Sequence, residues 1–258
     1  MIRRLTIAIA LVCLCLAACS RQKTVTPRSP ADRLEHANKL KDEQKYVKAV
    51  TEYEQVLSEF PAQEIAEAAR YNLAEARIGL GDFELARRDL EDFIDSYPKS
   101  DLVDNAMFLI AKSHVEDAPR VERDQTATVN ALDELYLLLR EYPDTDILDE
   151  ANAMIAECRS KLAEKDYLSG KLYLRTKSHK AAHIYFDLVV DEYGDTPWAP
   201  RALLGKAETY AKQKDFSAAR ETLERVVEEY PDTPESEEAA TSLRRMAGAL
   251  VEEESSAE

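Results

Sequence analysis

Gly81-Asp82-Phe83-Glu84-Leu85-Ala86-Arg87-Arg88-Asp89-Leu90-Glu91-Asp92-Phe93-Ile94-Asp95-Ser96-Tyr97-Pro98 decides the fold of this 258-residue chain, because its pattern returns. Downstream, Lys214-Asp215-Phe216 leads through Ala219 to Tyr230-Pro231 in the same order. A turn opens each stretch, an alanine stands twelve positions before a proline, and an aromatic-proline step closes it. The step also occurs at Phe60-Pro61 and Tyr142-Pro143, and Tyr193-Gly194 is a variant of it. Ala49, Ala86, Ala131 and Ala219 lie twelve before their prolines, and Ala182 lies twelve before Gly194. A further twelve back stand Ala37, Ala74, Gly170 and Ala207; Ala111 fills that place in the third register if eight inserted residues are allowed.

Each position has a physical cause. Small side chains at two fixed places let paired helices approach closely, and large aliphatics around them (Leu73, Leu90, Ile94; Leu204, Leu223, Val226, Val227) fill the remaining space. Proline ends the second helix of a pair, since it cannot donate and it crowds the preceding turn. Asp-Thr or Lys-Ser after the proline supplies an N-cap for the next helix. The pattern resembles the tetratricopeptide repeat and implies an all-α superhelix of about five helix pairs, an α-α solenoid. The units are read as 31–65, 66–102, 103–147, 148–197 and 198–234.

Spacing between the aromatics refines this. They lie 37, 45, 51 and 37 residues apart, against a usual repeat of about 34. The extra eight in the third unit include the charged stretch Asp117 to Gln125, expected as a loop projecting from the array. The extra fourteen before the fourth carry no glycine or proline and amount to about four helical turns. They predict one long helix, with Leu148, Ala151, Ile155, Cys158, Leu162 and Tyr167 on or near its buried side. A last helix over 235–250 should cap the stack, giving a repeat domain over 31–250, and 251–258 reads as an acidic disordered tail.

The amino terminus carries a second message. Arg3-Arg4 precede the apolar run Leu5 to Leu16, and Ala17-Ala18 precede Cys19. The run is well short of the ~20 residues that span a bilayer, and it reads as a signal peptide over 1–18. The stretch Leu16-Ala17-Ala18-Cys19 resembles the bacterial lipobox. What that resemblance implies is cleavage between Ala18 and Cys19, a diacylglycerol and a fatty acyl group on Cys19, and no other cofactor. Ser20, where an acidic residue would signal inner-membrane retention, implies sorting to the outer membrane. Residues 19–30 read as a flexible tether. With Cys13 and Cys15 in the signal and Cys19 acylated, Cys158 remains alone, so no intramolecular disulfide is expected.

Charge narrows the partners. Without Arg3 and Arg4 the mature chain has 32 basic residues against 50 acidic, a net charge of −18. Such a surface repels phosphate backbones, which argues against nucleic acid. Six glycines in the whole chain suit an all-helical protein. No nucleophile elbow, phosphate loop or dinucleotide fingerprint occurs, and acidic residues among arginines, as in Glu84/Arg87/Arg88, read as solvated helix faces. His179 and His183 have metal-ligand spacing, but no glutamate base lies between them and no third ligand is evident, so no metal site is expected.

A lipobox followed by five such repeats, with Glu122-Arg123-Asp124-Gln125 ahead of an apolar helix, Leu139-Arg140-Glu141-Tyr142-Pro143-Asp144-Thr145, and a long helix ending near Tyr173, resembles the BamD family of outer-membrane assembly lipoproteins. Tyr193-Gly194 departs from the family's more frequent Tyr-Pro. The resemblance implies a non-enzymatic scaffold, lipid-anchored at the periplasmic face of the outer membrane, that binds the periplasmic domains of a BamA-like barrel and unfolded outer-membrane proteins. By the same analogy the first two repeats recognise substrate barrels and the later ones hold the complex. Helix position nominates Asn38, Lys41, Asn72, Arg77 and Lys112 as groove residues that packing does not claim. Two other readings compete: a periplasmic scaffold of the YbgF/CpoB type linked to Tol–Pal, which usually has an N-terminal coiled coil and a plain signal, and a cell-wall hydrolase, which would need a catalytic constellation.

Overall fold

The computed structural model describes residues 29–61 and 64–256, with backbone alone for 249–256. Ala18 and Cys19 lie outside these residues, as does the signal segment. The described residues form helices only: α1 (Pro30–Asp42), α2 (Tyr46–Glu59), α3 (Ile65–Leu80), α4 (Phe83–Ser96), α5 (Val103–Asp117), α6 (Thr126–Glu141), α7 (Leu148–Arg175), α8 (His179–Glu192), α9 (Trp198–Lys212), α10 (Phe216–Glu229) and α11 (Pro234–Ser256). The chain divides into two compact units within α3, at Ala69/Arg70.

In the first unit, Ser29 caps α1 by accepting from the Asp32 amide at 3.2 Å, and Pro30 occupies the first turn, where its missing N–H costs nothing. Ala37 and Leu40 of α1 bury against Ala49, Tyr53 and Val56 of α2. The hydroxyl of the fully buried Tyr53 donates to Asn38 Oδ1 at 2.7 Å.

In the second unit the buried clusters follow one another along the chain. Ala74, Ala86, Leu90 and Phe93 lead to Ala111, Ala131 and Leu135, then to Ala163, Ala182 and Phe186, then to Leu203, Leu223 and Val226. The five B-helix alanines across both units, Ala49, Ala86, Ala131, Ala182 and Ala219, are all fully buried or nearly so. All five aromatic terminators stop a helix the same way. The N–H of Phe60, Tyr97, Tyr142, Tyr193 and Tyr230 makes a last bond, of 2.8–3.1 Å, to the carbonyl four residues back. The Tyr193-Gly194 variant therefore terminates α8 without the proline.

The turns inside the pairs share a left-handed residue, at Gln44 (φ 56°), Gly81 (φ 87°), Lys177 (φ 59°) and Lys214 (φ 64°). The following N–H in each case reaches back five residues, as from Asp215 to the Tyr210 carbonyl at 3.0 Å. This satisfies carbonyls that the helix end would leave open.

Four details differ from expectation. The Ser or Thr sits ahead of the cap position at three terminators, where Leu102, Ile147 and Pro197 are the N-caps of α5, α7 and α9, whereas Thr233 directly precedes α11 and caps it as expected, accepting from Ser236 N at 3.2 Å. Ser100 and Thr145 instead brace the turn, accepting from Leu102 N and Ile147 N. The loop between α5 and α6 is folded over a buried amide: Gln125, 3% exposed, donates to the Arg120 carbonyl at 2.9 Å and accepts from the Thr128 hydroxyl at 2.7 Å. The long helix is present as α7, but Leu148 at its start is exposed, because no neighbour covers the first residue of the helix on that side. Finally, α11 stays helical through Ser256, so the stretch expected to be disordered from Val251 continues the capping helix.

Candidate functional site

Side chains of α7, α9, α10 and α11 line an open groove of about 760 Å³, and those that line it follow from helix register. Arg201, Leu204, Glu208 and Ala211 recur at three- and four-residue steps, so they share one face of α9. Glu235, Glu238, Ser242 and Arg245 do the same on α11. Small residues at Gly205, Ala207 and Ala211 keep the floor low.

Trp198 opens α9 and forms one end. Its ring lies 5.3 Å from that of Tyr167, its Nε1–H donates to Ser160 Oγ at 3.2 Å, and the Arg201 guanidinium stands 4.8 Å over it. Arg201 also donates to Glu235 at 2.9 Å, so one side chain links the aromatic end to α11. Lys171 reaches from α7 to Glu208 at 3.2 Å, and Lys212 meets the same carboxylate at 3.2 Å. Burial pushes the Glu208 carboxyl up, but the two lysines outweigh it and hold the group below the usual range. The groove offers an aromatic wall, a low floor and paired charges.

The five nominated residues do not form this groove. Asn38 receives the Tyr53 hydroxyl and Arg77 is ion-paired with Asp89 on α4, so packing claims both. Lys112 stands 3.8 Å from Glu116, one turn along α5. Lys41 and Asn72 are half-buried and also engaged. Helix position identifies a face, but not which of its side chains a neighbouring B-helix reaches. Trp198, Arg201 and Glu208 were missed, although their spacing on one face is legible; that α7 and α11 close over that face is not.

His183 packs its ring 4.2 Å from that of Tyr210, across α8 and α9, and the Nδ1 atoms of His179 and His183 are buried with no hydrogen-bond partner. His183 thus packs between α8 and α9. Among the described residues no group of three His, Cys, Asp or Glu side chains could hold a metal ion. Cys158 is 1% exposed, and burial pushes its thiol up to about 11, which leaves it unreactive.

Stacked helix pairs with alanines at the crossing points define a tetratricopeptide-repeat protein, and a tetratricopeptide-repeat family model matches residues 201–233, which hold most of α9 and all of α10. A second family model, YfiO, described as an outer membrane lipoprotein, matches residues 29–213, and the chain belongs to that family. It is similar to the outer membrane protein assembly factor BamD of Caulobacter vibrioides, 28% identical over 70% of this chain and 57% of that protein. The match therefore spans little more than half of the Caulobacter protein's length. The factor of the same name from Rickettsia prowazekii is 28% identical over 66% of this chain and 68% of its own. That from Pasteurella multocida is 22% identical over 78% and 82%. Among solved structures, the TPR2AB-domain:pHSP90-complex of yeast Sti1 overlaps 86% of each chain with a TM-score of 0.43 and 17% identity.

Proposed function

We propose that this chain is a non-enzymatic scaffold of the outer membrane's β-barrel assembly machinery. In this reading it is anchored through acylated Cys19 at the periplasmic face, and it binds a BamA-like barrel protein through that partner's periplasmic domains, together with unfolded outer-membrane proteins. The observation that carries the reading is the family match across 29–213, which runs through nine of the helices. Three relatives named as assembly factor BamD support the same role. Among the described residues no helix is long and apolar enough to cross a membrane, which is compatible with a lipid anchor. The work is physical: a groove with an aromatic end and a low floor offers a partner segment apolar area and fixed charges, and no bond is made or broken.

The test is a pull-down of the tagged chain from detergent-solubilised outer membranes, read by mass spectrometry, with Cys19→Ala as the control. Recovery of a large β-barrel protein with periplasmic repeat domains, lost from the membrane fraction in the control, is the expected result. Recovery of Tol–Pal or cell-wall synthesis proteins in its place would reject the assembly role and favour the YbgF/CpoB type of scaffold.

A further inference from the structure

The turns between α7 and α8 and between α9 and α10 carry cations that nothing in the fold uses. Arg175, Lys177, Lys180 and Lys214 are exposed, and their side chains have no ion-pair or hydrogen-bond partner among the described residues. Lys171 of α7 pairs with Glu208 of α9 across 37 residues, the offset that also separates Lys177 from Lys214. The two turns therefore lie side by side at one end of the helix pairs, about 10 Å apart, as neighbouring helix axes do. The opposite end, where α8 and α10 stop, is acidic: Asp191, Glu192, Glu228 and Asp232 are exposed there, and their side chains are equally unpaired.

Local stability does not account for this segregation. A cation suits the C-terminal end of a helix, which explains Arg175 at the end of α7. Lys180 and Lys214 stand at the starts of α8 and α10, where the helix dipole disfavours positive charge, and acids close both helices, where it disfavours negative charge. Lys177 and Lys214 also hold left-handed backbone, at φ 59° and 64°, which Gly81 holds in the second repeat. A chain of net charge −16 thus gathers free cations at positions that cost it stability.

The same end exposes apolar side chains. Phe216, two residues after Lys214, is 59% exposed, and Leu172, in the last turn of α7, is 48% exposed. The acids nearby are engaged: Asp215 accepts from the Ala218 amide at 3.1 Å, and Glu208 is held by Lys171 and Lys212.

We infer that this end docks on an anionic phospholipid surface. Arg175, Lys177, Lys180 and Lys214 meet lipid phosphates, Phe216 and Leu172 rest at the headgroup level, and the acidic ends of α8 and α10 lie away from the bilayer. Protruding turns, rather than a cleft, suit a flat partner, and their charge has the sign that such a surface attracts. The inference rests on the reading of a membrane-anchored scaffold and states which end of its last helix pairs meets the membrane.

The experiment places the full acylated chain in vesicles of phosphatidylcholine alone or of equal parts phosphatidylcholine and phosphatidylglycerol. A fluorophore on Ser217→Cys reports the access of aqueous iodide; Cys158 is buried and stays unlabelled. The label should be shielded in the phosphatidylglycerol vesicles only, and high salt should remove the shielding. Lys177→Gln with Lys214→Gln should lower the docked-to-free ratio about 25-fold, at about fivefold per basic charge. Glutamine fits both turns, since Gln44 holds the same left-handed backbone at φ 56°. Phe216→Ser should lower the ratio as well. Equal shielding in both vesicle types, shielding in neither, or shielding that the glutamine variant keeps overturns the inference. Shielding in native outer membranes but not in vesicles also overturns it, and assigns the surface to an acidic protein. Absence of shielding with the barrel still recovered in the pull-down removes only the membrane contact; shielding without the barrel removes only the assembly role.

Discussion

A methyl group added at Gly205 would lie 2.6 Å from the Phe186 ring, and one added at Gly170 would lie just as close to the same ring. Phe186 of α8 is fully buried, so two glycines on α7 and α9 make room for one aromatic side chain. Gly205→Ala should therefore destabilise the domain by about 1–3 kcal/mol through overpacking. Phe186→Leu in the same chain should recover part of that loss, since a smaller side chain frees the space. Urea unfolding of the single and double variants checks both statements. Equal stability of Gly205→Ala and the parent would show that Phe186 moves aside freely.

Lys177 and Lys214 hold left-handed backbone that glycine holds at the matching position, Gly81. A side chain in that conformation costs about 1 kcal/mol or more, and glycine returns part of the gain by loosening the unfolded chain. Lys214→Gly should thus raise stability by about 0.5 kcal/mol. Lys214→Ala should not raise it, because alanine keeps the Cβ. Thermal melts of the two variants separate backbone strain from loss of the lysine charge.

The Gln125 amide holds the loop between α5 and α6 from inside, through the Arg120 carbonyl and the Thr128 hydroxyl. Gln125→Ala leaves those groups unpaired in a buried place and should cost about 1–3 kcal/mol. Limited proteolysis should then cut within 118–125, where the parent resists. Resistance in the variant would show that the loop is held by its surroundings.

Two histidines make stability depend on pH. Burial lowers the His183 imidazole, nearby Lys206 and His179 lower it further, and Asp187 partly opposes them. His114 is lowered by burial and by Arg87, against Asp117. A folded-state value below the unfolded one means that the folded chain binds fewer protons. Its contribution is complete above about pH 6.5 and is lost as pH falls through that value toward the folded one. Urea midpoints should drop between pH 7.5 and 6, and the slope should flatten in the His114→Gln/His183→Gln double variant. An unchanged slope would place the proton uptake elsewhere.

Arg159 of α7 clasps the end of α8. It donates to both oxygens of Asp195, at 3.1 and 2.5 Å, and to the Glu192 carbonyl at 2.8 Å. Asp195 is largely exposed, so a double-mutant cycle between Arg159→Ala and Asp195→Ala should give a coupling of no more than about 1 kcal/mol. A larger value would mean that the clasp is shielded from water by more than its own two residues.

Much of this was legible from residue spacing. The alanines twelve before each aromatic-proline step are buried where helices cross, and the fourteen residues without glycine or proline before the fourth repeat became one 28-residue helix, α7. Gly170 was read as a small crossing residue, and it is one. Gly205 gave no such signal, because its need arises only from the bulk of Phe186 on another helix. Asn38 and Arg77 follow the same logic: each was expected to be unclaimed by packing, yet each has a partner, Tyr53 or Asp89, that register does not identify.

By itself, then, the order of residues determined which segments are helices, where they stop and which faces they bury, since propensity, proline and small-residue periodicity are local properties of the chain. Tertiary structure alone decided which inward-facing polar side chains are used up in pairs and which stay free. That choice depends on distances between helices far apart in sequence, which pair Lys171 of α7 with Glu208 of α9 and Arg201 of α9 with Glu235 of α11.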